Sequence, residues 1–332
     1  SQISFEVNIM KKFKTIEEQK EYLISSKNLY DDELITKVFY ERPYVSIINP
    51  YKKFFYTSID GNNHKYDDKI SINDYYKLAT LDDMFAKELH YFIGIFERRI
   101  KSAFAYVISE KMKIIGDDSA TLYIEIFNDI DNKLVEFVLL GFNDYKYTYN
   151  KALKTIEITS LSTQQYRKEF LKDLADINQD KKRKNKLFEK YINTATPIPF
   201  WLVVHTLSLG DLASLYQMLG KELKNKILVF LNSSIEIPVF SDSIFKFEDD
   251  LMIIKDLRNV INHYEPLYEF IRNTPKRKIL NAISRIEKYS KKIIDESFEH
   301  LLGNLPTFKN NQNDNIVSIY CDILKVIKKE MT

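Results

Sequence analysis

The sequence predicts a mainly α-helical protein, and three observations carry that prediction. Glycine and proline are scarce, seven and eight in 332 residues, so few positions interrupt a helix. Lys, Glu, Leu and Ile are frequent and recur at spacings of three and four. A hydrophobic content of 45%, with 14% aromatic residues, is enough to bury a substantial core and excludes a disordered chain.

Taken in order, residues 15–27 and 31–41 read as short helices, the second opening on Asp31-Asp32-Glu33, where acids suit a helix N-terminus. The aromatic stretch from Tyr40 to Phe55 holds Pro43 and Pro50 and cannot be one helix. Asp60-Gly61 marks a turn. A long amphipathic helix is expected over 81–113, with Thr80 and Asp83 as its capping box, a stripe running from Leu81 through Phe96 to Val107, and Gly116 as its stop. Residues 120–150 fit a helix or a hairpin, and the helix is favoured for the spacing of Tyr123, Ile126, Phe127 and Ile130. Thr163 to Ile192 reads as helical and strongly charged. Ser208 with Asp211 caps a further helix that ends at Gly220, and amphipathic helices follow over 276–302 and 314–330. With no internal repeat or low-complexity linker, the expectation is one helical domain over 10–332. Residues 1–9, ahead of Met10, are set aside as an added leader.

The 49 basic and 47 acidic side chains leave a formal charge of +2, so no overall basic field announces nucleic acid. Any such surface must be local. Cys321 is the single cysteine, which rules out an internal disulfide and suits a reducing, cytoplasmic setting. No apolar run reaches the length of a membrane span. Neither HExxH, CxxC nor clustered carboxylates signal a metal, and no cofactor is expected.

The segment richest in chemistry is KDLRNVINHYEP, Lys255 to Pro266, on a helix expected over about 247–264. Phe247, Leu251, Ile253, Ile254, Leu257, Val260 and Ile261 fill one side of its wheel. Arg258, Asn259, Asn262 and His263 form a polar patch at its end. Arg258 and His263, five apart, project about 140° from each other, so they flank a groove that needs a second wall. Pro266 disfavours helix at Glu265, placing His263 in the last turn. Glu97, Arg98, Arg99 and Lys101 of the long helix are either a solvated, ion-paired face or that second wall. The run containing Lys182, Arg183 and Lys184 is either solvated surface or a phosphate contact. Arg258 and His263 could also simply cap carbonyls and pair with Asp256 or Glu265. His90, His205 and His300 read as packing or surface residues, His64 as a solvated loop residue, and Trp201 as core.

Arg258-Asn259-x-x-x-His263 resembles the RNxxxH form of the R-x4-6-H motif of HEPN domains, a helical family with many metal-independent ribonucleases. Three more segments, VFYERPYVSIINPYKKFF, LDDMFAKELHYFIGIFERRIKSAFAYVISE and PFWLVVHTLSLGDLASLYQML, are similar, in order, to segments of the Abi-like abortive-infection proteins of bacteria (the AbiD/AbiF type). They cover most of residues 30–270. His205 departs from the pattern, which has an acid there.

The resemblance implies a HEPN-like helical bundle with helical and loop insertions and a phage-defence or toxin-like endoribonuclease, with Arg258 and His263 as the catalytic pair and Asn259 accompanying them. Such sites form where two motifs face each other, so the one motif here implies a homodimer on an RNA substrate, restrained by an RNA or protein antitoxin. The chemistry is coherent: RNA supplies its own 2′-hydroxyl nucleophile, an imidazole moves protons near neutral pH, and a guanidinium fork suits phosphate. The alternative is a non-catalytic HEPN module that binds RNA or protein.

Overall fold

The computed structural model describes residues 13–56, 58–60, 63–66, 69–114, 116, 145–150, 155–160, 186–191, 198–233 and 244–290. These are mainly helical, as expected, with helices α1 (Ile16–Lys27), α2 (Leu34–Glu41), α3 (Tyr44–Ile47), α4 (Ile72–Ile114), α5 (Phe200–Val203), α6 (Leu209–Met218), α7 (Lys221–Ser233), α8 (Ile244–Asn262), α9 (Leu267–Asn273) and α10 (Lys276–Ser290). Two antiparallel hairpins pair β1 (Ser58–Asp60) with β2 (Asn63–Lys65) and β3 (Tyr145–Asn150) with β4 (Thr155–Ser160).

Three expectations are corrected. The helix favoured across 120–150 gives way to strand over 145–150, in register from Tyr145 opposite Ser160 to Asn150 opposite Thr155. Alternating β-branched and aromatic residues in YKYTYN and TIEITS suit a paired strand better than a helical face. The long helix starts at Ile72 rather than 81. Its start is capped at Ser71: the Ser71 hydroxyl accepts from Asn73 N–H at 3.1 Å, and Asp74 accepts from Ser71 N–H at 3.2 Å. Thr80 lies inside the helix, because Ile72, Tyr75 and Leu78 are buried and carry the stripe back two further turns. Asp83 instead forms an ion pair with Arg42. His64 lies in β2 rather than in a loop. Ser208 and Asp211 do form a capping box on α6, and Gly116, at φ 101°, follows the end of α4.

The chain forms two compact units, each drawn from separated segments. It passes between them within α4, after Lys87, and within α8, after Asn259. In the first unit, Tyr51 and Phe54 pack on Tyr268 of α9, with ring centroids 6.2 and 5.2 Å away. In the second, a file of rings joins four helices: Phe104 of α4 to Tyr216 of α6, Tyr216 to Phe247 of α8, and Phe247 to Tyr289 of α10. These contacts, at 5.1 to 6.3 Å between centroids, fix α8 by its apolar stripe.

Among the described residues, no helix is long and apolar enough to cross a membrane.

Candidate functional site

The helix that carries the candidate residues is built as its periodicity predicts. Phe247, Leu251, Ile254, Leu257 and Val260 are buried, while Ile253 and Ile261 are half-buried at the edges of the stripe. Regular helix ends at Asn262, so His263 sits one residue beyond the expected last turn. Two hydrogen bonds close the end: Tyr264 N–H donates to the Ile261 carbonyl at 3.2 Å, and Glu265 N–H donates to the Val260 carbonyl at 3.0 Å. This pairing, with Tyr264 at φ 55°, is a Schellman cap. His263 is the C-cap residue, and Tyr264 takes the left-handed position usually given to glycine. A side chain at that position costs on the order of 1 kcal/mol.

Arg258 and Asn259 belong to the second unit and are half-buried; Asn262 and His263 belong to the first and are exposed. Arg258 Nε lies 4.0 Å from a Glu97 carboxylate oxygen on α4. The other Glu97 oxygen accepts the Lys101 ammonium at 2.8 Å, and Lys101 also donates to the His205 carbonyl at 3.3 Å. Glu97 and Lys101, one turn apart on one helix face, thus stand beside Arg258 within its own unit. Arg98 projects about 100° away from Glu97. It lines a cavity of about 340 Å³ with Ile95, Arg99, Ser102, Phe230 and Leu231. Arg99 donates to the Tyr289 carbonyl.

Partial burial, then the nearby Lys101 ammonium, lowers the pKa of His205 from its ordinary value. Asp256 takes Lys255 as its partner at 2.8 Å rather than Arg258. Trp201, expected in the core, keeps 45% of its surface exposed: it sits on the one-turn helix α5, whose inward positions are held by Phe200 and Val203. Lys182, Arg183 and Lys184 lie outside the described residues, as does His300. Among the described residues, no group of three or more His, Cys, Asp or Glu is placed to hold a metal ion.

The sequence reading missed one residue that shapes this region. Asp82 of α4 is 2% exposed, and its carboxylate accepts the Tyr268 N–H at 2.9 and 3.1 Å and the Tyr51 hydroxyl at 3.0 Å. Tyr268 N–H belongs to the first turn of α9, which Pro266 opens without a side-chain acceptor. Asp82 therefore caps α9 from a distance and fixes the chain that leaves the His263 cap. Burial, then the Asp82 charge, pushes the Tyr51 phenol far above its ordinary pKa, so it remains a donor. Asp82→Ala should strand both buried donors and cost about 2–4 kcal/mol, measured as urea unfolding followed by far-ultraviolet circular dichroism. Asp82→Asn, which keeps an acceptor, should cost less.

The family model described as Abi-like protein matches residues 39–269, more than half of the chain, spanning Asp82, Glu97 and the whole Arg258–His263 segment. No curated protein and no solved structure matches the chain.

Proposed function

The chain belongs to the Abi-like protein family, and from that membership we propose that it acts in abortive infection of phage-infected bacteria, or as a toxin, as a metal-independent endoribonuclease of the HEPN type. The observation that carries this reading is the end of α8: a half-buried arginine and asparagine, then an exposed histidine held at the C-cap by two backbone hydrogen bonds.

The proposed reaction begins with His263 removing the proton from a ribose 2′-hydroxyl. The oxygen attacks the adjacent phosphorus, the bond from phosphorus to the 5′-oxygen breaks, and the imidazolium returns a proton to that leaving oxygen. The products are a 2′,3′-cyclic phosphate and a 5′-hydroxyl. Arg258 neutralises the charge that builds on the phosphoryl oxygens; its guanidinium, 4.0 Å from Glu97, is a fork that suits phosphate. Asn259 assists in orienting the phosphate or the histidine. The reading includes a homodimer in which a second copy presents its own motif, and an RNA or protein antitoxin that restrains the enzyme.

The test is incubation of the full chain with total cellular RNA in the presence of a chelator. Fragments ending in 2′,3′-cyclic phosphate are expected. Cleavage that requires divalent metal, or RNA that is bound and never cut, would replace this reading with a metal-dependent nuclease or a binding module.

A further inference from the structure

We infer that Tyr264 is a stacking platform for an unpaired base of the RNA, next to the linkage that His263 serves. This rests on the ribonuclease reading above and narrows its substrate to single-stranded RNA. Tyr264 is 91% exposed, the most exposed large hydrophobic side chain of the described residues. Its backbone lies in the left-handed region at φ 55°, where glycine is the default occupant. The position therefore spends backbone energy on a ring that buries almost nothing, and neither helix termination nor packing accounts for a tyrosine there. A strained residue with an unused aromatic face points to a ligand for that face.

The ligand class follows from the position. Consecutive Cα atoms stand about 3.8 Å apart, so a base lying on the Tyr264 ring belongs to a nucleotide bordering the phosphate presented to His263. A duplex base already stacks on both faces; an unpaired base offers one. The cap hydrogen bonds of Tyr264 and Glu265 fix the backbone beneath the ring, leaving two side-chain torsions to order on binding.

The experiment measures binding of a fluorescent 2′-O-methyl oligonucleotide, which has no free 2′-hydroxyl to react, to the full chain, as a single strand and as a duplex. Tyr264→Leu and Tyr264→Gly should each weaken single-strand binding about tenfold and raise KM for cleavage with little change in kcat. Tyr264→Phe should restore both, since only the ring is needed. Tyr264→Gly frees the backbone, so its unfolding midpoint should match or exceed that of the parent, which separates lost stacking from lost fold. Single-strand binding unchanged in the Leu and Gly variants overturns the proposal, as does a parent protein that prefers the duplex. A shift from dimer to monomer in sedimentation of the Gly variant also overturns it, marking Tyr264 as a subunit contact. Absence of cleavage with tyrosine-dependent single-strand binding would sink the ribonuclease reading and leave the platform standing.

Discussion

On the proposed ribonuclease reading, replacing His263 by alanine should lower RNA cleavage by about 10²- to 10⁴-fold, the range that a positioned general acid–base group supplies, while the protein stays folded. The two halves of this expectation have separate grounds. The imidazole is exposed at the C-cap, so its loss removes no core packing and should shift stability by no more than about 0.5 kcal/mol. The cap is held by backbone groups of Val260, Ile261, Tyr264 and Glu265, none of which needs the side chain. Cleavage is measured as the single-turnover rate on a labelled RNA, and folding as circular dichroism and unfolding midpoint on the same preparation.

Arg258→Ala should behave in parallel for a related reason. Glu97 keeps Lys101 at 2.8 Å when the arginine is removed, so that carboxylate still has a cation. If the two side chains act on one phosphate, the double variant is no slower than the worse single one, because groups that work as a unit are not additive. A His263→Ala protein that cleaves within threefold of its parent removes the imidazole from the mechanism and leaves Arg258 as a phosphate contact alone.

The parts of this molecule that could be read from the sequence are those set by local periodicity. The buried face of α8 follows from Phe247, Leu251, Ile254 and Leu257 at helical spacing, and the Ser208–Asp211 box marks α6 because both partners lie within one turn. The start of α4 was not readable in the same way. Ser71–Asp74 and Thr80–Asp83 are equally good box patterns, and the choice between them depends on the burial of Ile72, Tyr75 and Leu78, which is a tertiary fact. Asp82 was invisible for a stronger reason: its partners Tyr51 and Tyr268 stand 31 and 186 residues away. Tyr264 carried no signal either, since the left-handed cap that makes a tyrosine unusual there is known only from the backbone.

The same contrast sets the second large effect, which lies in α8 itself. Two acids of that helix, Glu248 and Asp250, are 5% and 3% exposed. They project about 200° apart, so they meet partners on opposite sides. Glu248 takes the Lys224 ammonium of α7 at 2.8 Å. Asp250 accepts from both Nε and Nη2 of Arg285 on α10 at 2.7 Å, with that guanidinium 5.0 Å over the Phe247 ring. The motif helix is thus held by charge on two flanks as well as by its apolar stripe. Asp250→Ala takes this carboxylate away from a guanidinium that is 4% exposed, and should cost about 3–5 kcal/mol. The measurement is urea unfolding followed by the fluorescence of Trp201, the single tryptophan, which lies in the same unit. Exchanging both partners for apolar residues of similar volume should recover most of the loss, because the desolvation cost of the pair disappears with it. A loss below about 1 kcal/mol for Asp250→Ala would mean that water reaches Arg285 once the carboxylate is gone, and that the position of Arg258 depends on the apolar stripe alone.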